Sequence, residues 1–318
     1  MENQELQMAP TIKYERYSFS KLDCYDGCHF KFKLKYRDKF NYFNQNVATA
    51  IGTLIHNTEE DIANLIKAKQ PIDYTKLKNN IIVKMAELQY KFPTTFDVPD
   101  KVGRTYKEKL YEYIDKGIYR LENFLKEHPT YEVVSLEQKF DFDYEGYNLN
   151  GSIDRVLRDT ATGEYILHDL KTYPKPMEHK DLTTPLQFIV YIIAMNKLFG
   201  VDMDKIKCAY DLPFCDIRQD AGTPGFLTRG FKKLHKLIED INMQAFEPKP
   251  SPLCHWCDFC PTNENQPKEC KGKVLCPYHS MYTRENPKNY TTLETWQGLN
   301  NHQAAVESYI NKCRLAAQ

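Results

Sequence analysis

The 318-residue chain has no uninterrupted apolar run long enough to cross a bilayer, which sets aside a membrane span as its organising element. It has no net charge either. Its 43 basic and 43 acidic side chains cancel, so no global field draws it to a polyanion, and any affinity for nucleic acid must come from local clusters. No G-x-x-x-x-G-K-[ST] occurs, which excludes the phosphate-cradling loop of a nucleotide-driven motor. Residues 1–10 carry no leader pattern, so the ten cysteines are expected reduced or metal-bound in a cytoplasm rather than paired as disulfides. With 42% hydrophobic residues, the composition is that of a soluble globular protein with one large domain or two small ones.

What is present concentrates between Tyr147 and Tyr191. The run YNLNGSIDRVLRD, a turn at Thr160–Gly163, and EYILHDLKT read as two strands of a hairpin, and DLTTPLQFIVYIIAM reads as a helix. Side chains of a strand alternate faces, so Asp169 and Lys171 project together while Ile166 and Leu170 point the other way. Antiparallel pairing brings Asp154 toward Asp169. Two carboxylates close together in a partly buried site repel and need a proton or a cation, and hard oxygen ligands favour magnesium or manganese. A lysine beside them can orient a water or steady charge developing on a phosphoryl group. The plainer use of the same letters is Asp154 paired with Arg155 and an ordinary edge-strand Asp-Leu-Lys. Gln187 and Tyr191, four apart, share a face of a helix that is apolar almost all round and therefore buried.

The order GSIDR, HDLKT, Q-x-x-x-Y resembles the PD-(D/E)XK nuclease superfamily, its RecB-like exonuclease branch in particular, and Gly52-Thr-Leu-Ile-His56 is similar to that branch's upstream G-x-x-x-H helix motif. The resemblance implies an α/β fold with a central mixed β-sheet flanked by helices, a helical insertion and a Cys-rich C-terminal segment. It also implies catalytic roles for Asp154, Asp169, Lys171, His56, Gln187 and Tyr191, with a magnesium or manganese ion on His56, Asp154 and Asp169. Taken by itself, His56 beside the apolar face of a helix over residues 49–69 is an ordinary hydrogen-bonded core histidine. Glu60 follows it by one turn, and Glu137, on a strand beginning near Tyr131, has no assigned role.

Two basic clusters, Lys31 to Lys39 and Arg229 to Lys236, are candidates to neutralise phosphates or plain solvated faces. Residues 74–127 read as two or three helices broken near Pro93 and Pro99, with Tyr106, Tyr111, Tyr113 and Tyr119 able to stack on bases or simply to pack. Strands near Tyr131 and at KIKCAYDLPF and a helix over 229–245 complete the expected core. Cys208 and Cys215 read as packing residues.

Cys254, Cys257, Cys260, Cys270 and Cys276 crowd a Pro-rich stretch too poor in apolar residues to fold alone, which points to a metal site. Cys254, Cys257, Cys270 and Cys276 satisfy a tetrahedral structural zinc. The tail also resembles the cysteine group of AddB-type and CRISPR-associated RecB-like nucleases, which implies a 4Fe-4S cluster on Cys28, Cys254, Cys257 and Cys276. The expected divisions are 1–48 (N-terminal helical segment with a basic cluster), 49–129 (helical, with the G-x-x-x-H motif), 130–250 (α/β core), 251–280 (metal-binding) and 281–318 (tail and helix). The expected activity is metal-dependent exonuclease action on single-stranded DNA ends in recombination or repair, beside a separate helicase or recombinase, in a cytoplasm that is a host's if the source is a phage. An endonuclease of the same fold and a non-catalytic Cys-metal nucleic-acid-binding module are the alternatives.

Overall fold

A computed structural model of the protein describes residues 15–39, 46–100 and 102–251, and beyond them 253, 254, 257–259 and 276. Cys260, Cys270, Cys313 and the helix expected from Asn301 lie outside the described residues. In chain order the elements are β1 (Arg16–Tyr17), α1 (Phe19–Gly27), α2 (His29–Phe32), α3 (Val47–Lys67), α4 (Tyr74–Lys91), α5 (Tyr106–Asp115), α6 (Arg120–Glu127), β2 (Tyr131–Tyr144), β3 (Tyr147–Asp159), β4 (Tyr165–Leu170), α7 (His179–Thr183), α8 (Leu186–Phe199), β5 (Ile206–Leu212), β6 (Ile217–Ala221) and α9 (Phe226–Asn242). The chain divides into two compact units: Met1–Phe19, Thr58–Tyr74 and Glu112–Gly230 make the first, and Ser20–Asn57, Thr75–Tyr111 and Phe231–Gln318 the second.

The first unit holds the expected mixed sheet, in the order β1-β3-β4-β5-β6, with β2 also on β3. β2 runs antiparallel along the whole of β3, so β1 and β4 share the other edge of β3 at its two ends. β1 pairs in parallel at Asn148 and Leu149, and β4 pairs antiparallel from Arg155 to Arg158. β4 and β5 are parallel, β5 and β6 antiparallel. β1 and β6 were not expected from the sequence, because strands of two and five residues are too short for a period-two pattern to stand out. The hairpin turn is as expected, with Gly163 at φ +75°, where a side chain would be strained.

Alternation gives the sheet two unlike faces. Leu157, Ile166 and Ala209 on one face pack with Ala63 of α3, Leu121 of α6 and Val133. On the other, α8 is buried from Leu186 to Met195 and sets Phe188 against Tyr210 of β5, ring centroids 4.9 Å apart. By length and composition the stretch His179–Phe199 passes as a membrane span, contrary to the reading from sequence, but most of it is buried within the fold. Two of the four tyrosines considered for base stacking are packing residues here: Tyr113 is fully buried, and Tyr119 lies against Tyr74 at 4.5 Å.

In the second unit, the N-terminal helical segment is divided at Cys28. Cys28 is extended (φ −162°, ψ 114°) between α1 and α2, and it follows Gly27, a poor helix former. Tyr25 stacks on His29 at 4.1 Å and donates its hydroxyl to the Ala245 carbonyl at 2.6 Å. The break expected near Pro93 and Pro99 is the loop between α4 and α5, which Asp100 organises by accepting from the Val102 and Arg104 amides and from Lys109. The basic clusters are largely committed to internal partners. Lys33 pairs with Asp38, Lys233 with Asp26 and Lys236 with Asp240. In the first unit, Arg229 bonds Thr183, Thr184, Thr223 and Pro224.

At Gly230, α9 lies tight against α8: a Cβ there would meet the Cδ1 and Cγ1 atoms of Ile189 at 2.2 Å. Ile189 is fully buried and has no room to yield. Gly230→Val is therefore expected to cost about 1–3 kcal/mol through overpacking, read as a lower denaturant midpoint with an unchanged slope.

Candidate metal-binding site

Asp154 sits where β3 and β4 part. Their last paired residues are Arg155 and His168, and one step beyond, the Asp154 carboxylate accepts the Leu170 N–H at 2.8 Å. Burial pushes the Asp154 carboxyl up to about 6, and nearby Glu137 adds to the push, while the Leu170 N–H, Lys171 and Arg155 act against it. Arg155 is not its partner in the sense the plainer sequence reading required. Neighbours on a strand project to opposite faces, and Arg155 bonds Glu59 and Asp211 instead.

Glu137 reaches the same place from β2. Its backbone is left-handed (φ +42°), an uncommon state for a residue with a side chain, inside an otherwise extended strand. The Ser152 hydroxyl donates to its carboxylate at 2.9 Å. One carboxylate oxygen each of Glu137 and Asp154 lie within 4.8 Å of one another. Two carboxylates, one of them disfavoured as an isolated charge, make a donor pair that fits a hard divalent cation. His56 stands on α3 in the second unit, one turn before Glu59.

Asp169 and Lys171 share a face of the sheet as their spacing implies. Asp169 is buried and pairs with the Lys171 ammonium at 2.6 Å. Gln187 ties this pair to α8: its amide N–H donates to Asp169 at 2.6 Å and to the Tyr191 hydroxyl at 2.7 Å, and its carbonyl accepts from Lys171 at 3.2 Å. Burial works against the lysine's charge, but Asp169 and then Asp154 outweigh it, so its pKa lies above the ordinary value. The Lys171 backbone N–H is held by the Asp211 carbonyl at 2.9 Å.

The structure thus brings Asp154 together with Glu137, and sets Asp169, Lys171, Gln187 and Tyr191 in one hydrogen-bonded chain. Asp169 is not grouped with the Glu137 and Asp154 oxygens within 4.8 Å. Glu137 is the residue without an assigned role in the sequence, and the only signal pointing to it there is an acid on a strand otherwise read as core.

A second chemical site lies within the second unit. A cavity of about 200 Å³ is lined by Cys24, Cys28, Cys254, Cys257 and Cys276, together with Lys31. The sulfur of Cys28 accepts the Lys249 N–H at 3.5 Å, and that of Cys254 accepts the Ser251 N–H at 3.3 Å. Burial pushes the Cys24 and Cys257 thiols up to about 11, so neither is a thiolate without a cation to hold it there. Cys208 is a buried packing residue, and Cys215 donates to the Tyr173 carbonyl.

A family model described as the PD-(D/E)XK nuclease superfamily matches residues 16–262, well over half of the chain. No curated protein matches the sequence significantly.

A cation at Asp154 has to compete with a proton. Because the carboxyl is pushed up to about 6, Mn²⁺ affinity measured by calorimetry is expected to rise from pH 5 to pH 7 and level off above it. The sign follows from the proton occupying the ligand below about 6 and leaving above it. An affinity flat across this range would count against Asp154 as a ligand.

Proposed function

Because the chain belongs to the PD-(D/E)XK nuclease superfamily, we propose that this metal-dependent nuclease is a deoxyribonuclease, specifically an exonuclease of the RecB-like branch acting on single-stranded DNA ends in recombination or repair. The observation that carries the reading is the juxtaposition of the Glu137 and Asp154 carboxylates with the Asp169–Lys171 pair at the fork of the sheet. Asp154 and Asp169 serve as ligands, as the family resemblance implies, with His56 and Glu137 completing the set. When bound there, a magnesium or manganese ion would supply Lewis-acid polarisation of a phosphoryl oxygen and a more acidic water. Lys171, charged and partly buried, orients that water or steadies the negative charge that develops on the phosphate. Gln187 holds both the Asp169 carboxylate and the ammonium, and Tyr191 anchors Gln187 in turn. With no motif for a nucleotide-driven motor, unwinding would fall to a separate helicase.

The same family fold can serve an endonuclease, and the substrate's topology separates the two. End-labelled linear and covalently closed circular DNA, single-stranded and duplex, are incubated with Mg²⁺ or Mn²⁺. Loss of label from linear single strands with circles intact is the expected result, cut circles would establish an endonuclease, and no divalent-dependent cleavage would leave a binding module. In the same assay Asp154→Ala and Asp169→Ala abolish cleavage. Lys171→Ala lowers turnover by about two to three orders of magnitude, the cost of removing one preorganised donor, with Mn²⁺ still bound. Loss of Mn²⁺ binding in Lys171→Ala would assign that lysine a structural role.

For the second site we propose a 4Fe-4S cluster on Cys28, Cys254, Cys257 and Cys276. Its support is that these four thiols line one cavity although Cys28 is distant in sequence from the others. Protein purified without oxygen is expected to be brown with about four irons per chain, and Cys28→Ser to bleach it. About one zinc and no iron, with Cys28→Ser silent, would transfer the assignment to a zinc site that includes Cys270.

A further inference from the structure

The face of the sheet away from α8 carries buried charge that the proposed chemistry does not use. Arg155 donates to Glu59 on α3 at 2.9 Å and to Asp211 on β5 at 3.2 Å, and all three side chains are at most 6% exposed. Arg120 of α6 donates twice to Asp211, at 2.6 and 3.0 Å, and once to Asp216 at 2.7 Å. The Tyr113 hydroxyl donates to Glu59 at 2.7 Å. Burial pushes the Glu59 carboxyl up against the pull of Arg155, whereas at Asp211 the two arginines outweigh burial and hold the carboxyl below its ordinary range. Burial holds His168, beneath Arg155, down at about 3, so it adds no charge.

Buried ion pairs are poor devices for stability, because desolvation consumes most of the attraction and apolar groups of similar volume often do as well. Their geometry here suggests another use. Arg155 and His168 are the last pair of the β3–β4 ladder, and the ladder between β4 and β5 runs on to Leu170 and Asp211. Arg155 therefore reaches from β3 across β4 to β5 at the root of the fork. It does so one residue from Asp154, and the carbonyl of Asp211, its partner, holds the Lys171 N–H.

We propose that Arg155, bridging Glu59 and Asp211, is a positioning residue: it fixes how far the fork opens and so sets Asp154 against Asp169 and Lys171 for the cation. The proposal rests on the metal-dependent reading above. Outer partners of this kind typically change metal affinity about ten- to a hundredfold when removed.

The test titrates Mn²⁺ into wild-type protein, the double variant Glu59→Gln/Arg155→Met and Arg155→Lys, by calorimetry, with thermal unfolding of each metal-free protein alongside. The double variant removes a matched pair and leaves Asp211 its Arg120 bonds. Arg155→Lys keeps the charge but has no planar fork to hold two carboxylates at once. Both are expected to unfold cooperatively and to bind Mn²⁺ about ten- to a hundredfold more weakly, with cleavage recovering at saturating Mn²⁺. Folded variants whose affinity is within about twofold of wild type would overturn the proposal, since outer partners typically give at least tenfold. Failure of both variants to fold would also overturn it, in favour of a purely structural network. If only the double variant fails, Arg155→Lys decides. Wild-type protein that binds no Mn²⁺ and cleaves nothing would instead defeat the nuclease reading itself.

Discussion

The site depends on one gap in a hydrogen-bonded ladder. β3 and β4 pair as far as Arg155 and His168 and then separate, and Asp154 spans the opening by accepting the Leu170 N–H. A carboxylate placed there meets a backbone donor that the sheet no longer uses, which offsets part of the cost of taking it out of water. The offset is incomplete, as the raised carboxyl of Asp154 records. What remains is a demand for positive charge, which Lys171 meets in part.

The two faces of the sheet handle their charges differently. On the α8 face, Asp169, Lys171, Gln187 and Tyr191 form a chain in which the lysine stays partly exposed, so one end meets water while the other is locked into an apolar helix. On the opposite face the carboxylates of Glu59 and Asp211 are matched by Arg155 and Arg120 with little access to solvent. Alternation along a strand makes this division possible, because Asp154 and Arg155 are adjacent in the chain yet belong to different layers.

The thiol cavity follows a related logic within the second unit. The extended Cys28 residue ends α1 and begins α2, which frees its sulfur to accept a backbone N–H from Lys249 while lining the same space as Cys254, Cys257 and Cys276. Burial pushes the Cys24 and Cys257 thiols of this cavity up to about 11, with Lys31 beside them.

Much of this was legible in the sequence, because it rests on local periodicity. The hairpin, the shared face of Asp169 and Lys171, the buried helix carrying Gln187 and Tyr191, and the helix bearing His56 each follow from residues a few positions apart. The short strands β1 and β6 and the break at Cys28 did not show, since two to five residues or a single glycine leave no periodic trace. Nor did the use of Glu137, which faces Asp154 only through the register of β2 on β3 and accepts the Ser152 hydroxyl. The sequence by itself determined which chemical groups are available and which local elements carry them. Only the tertiary structure decided that Glu137 stands with Asp154, that Arg155 turns away to Glu59 and Asp211, and that Cys28 lines the same cavity as the tail. Those outcomes depend on strand register and on contacts between residues tens to hundreds of positions apart, which no local pattern encodes.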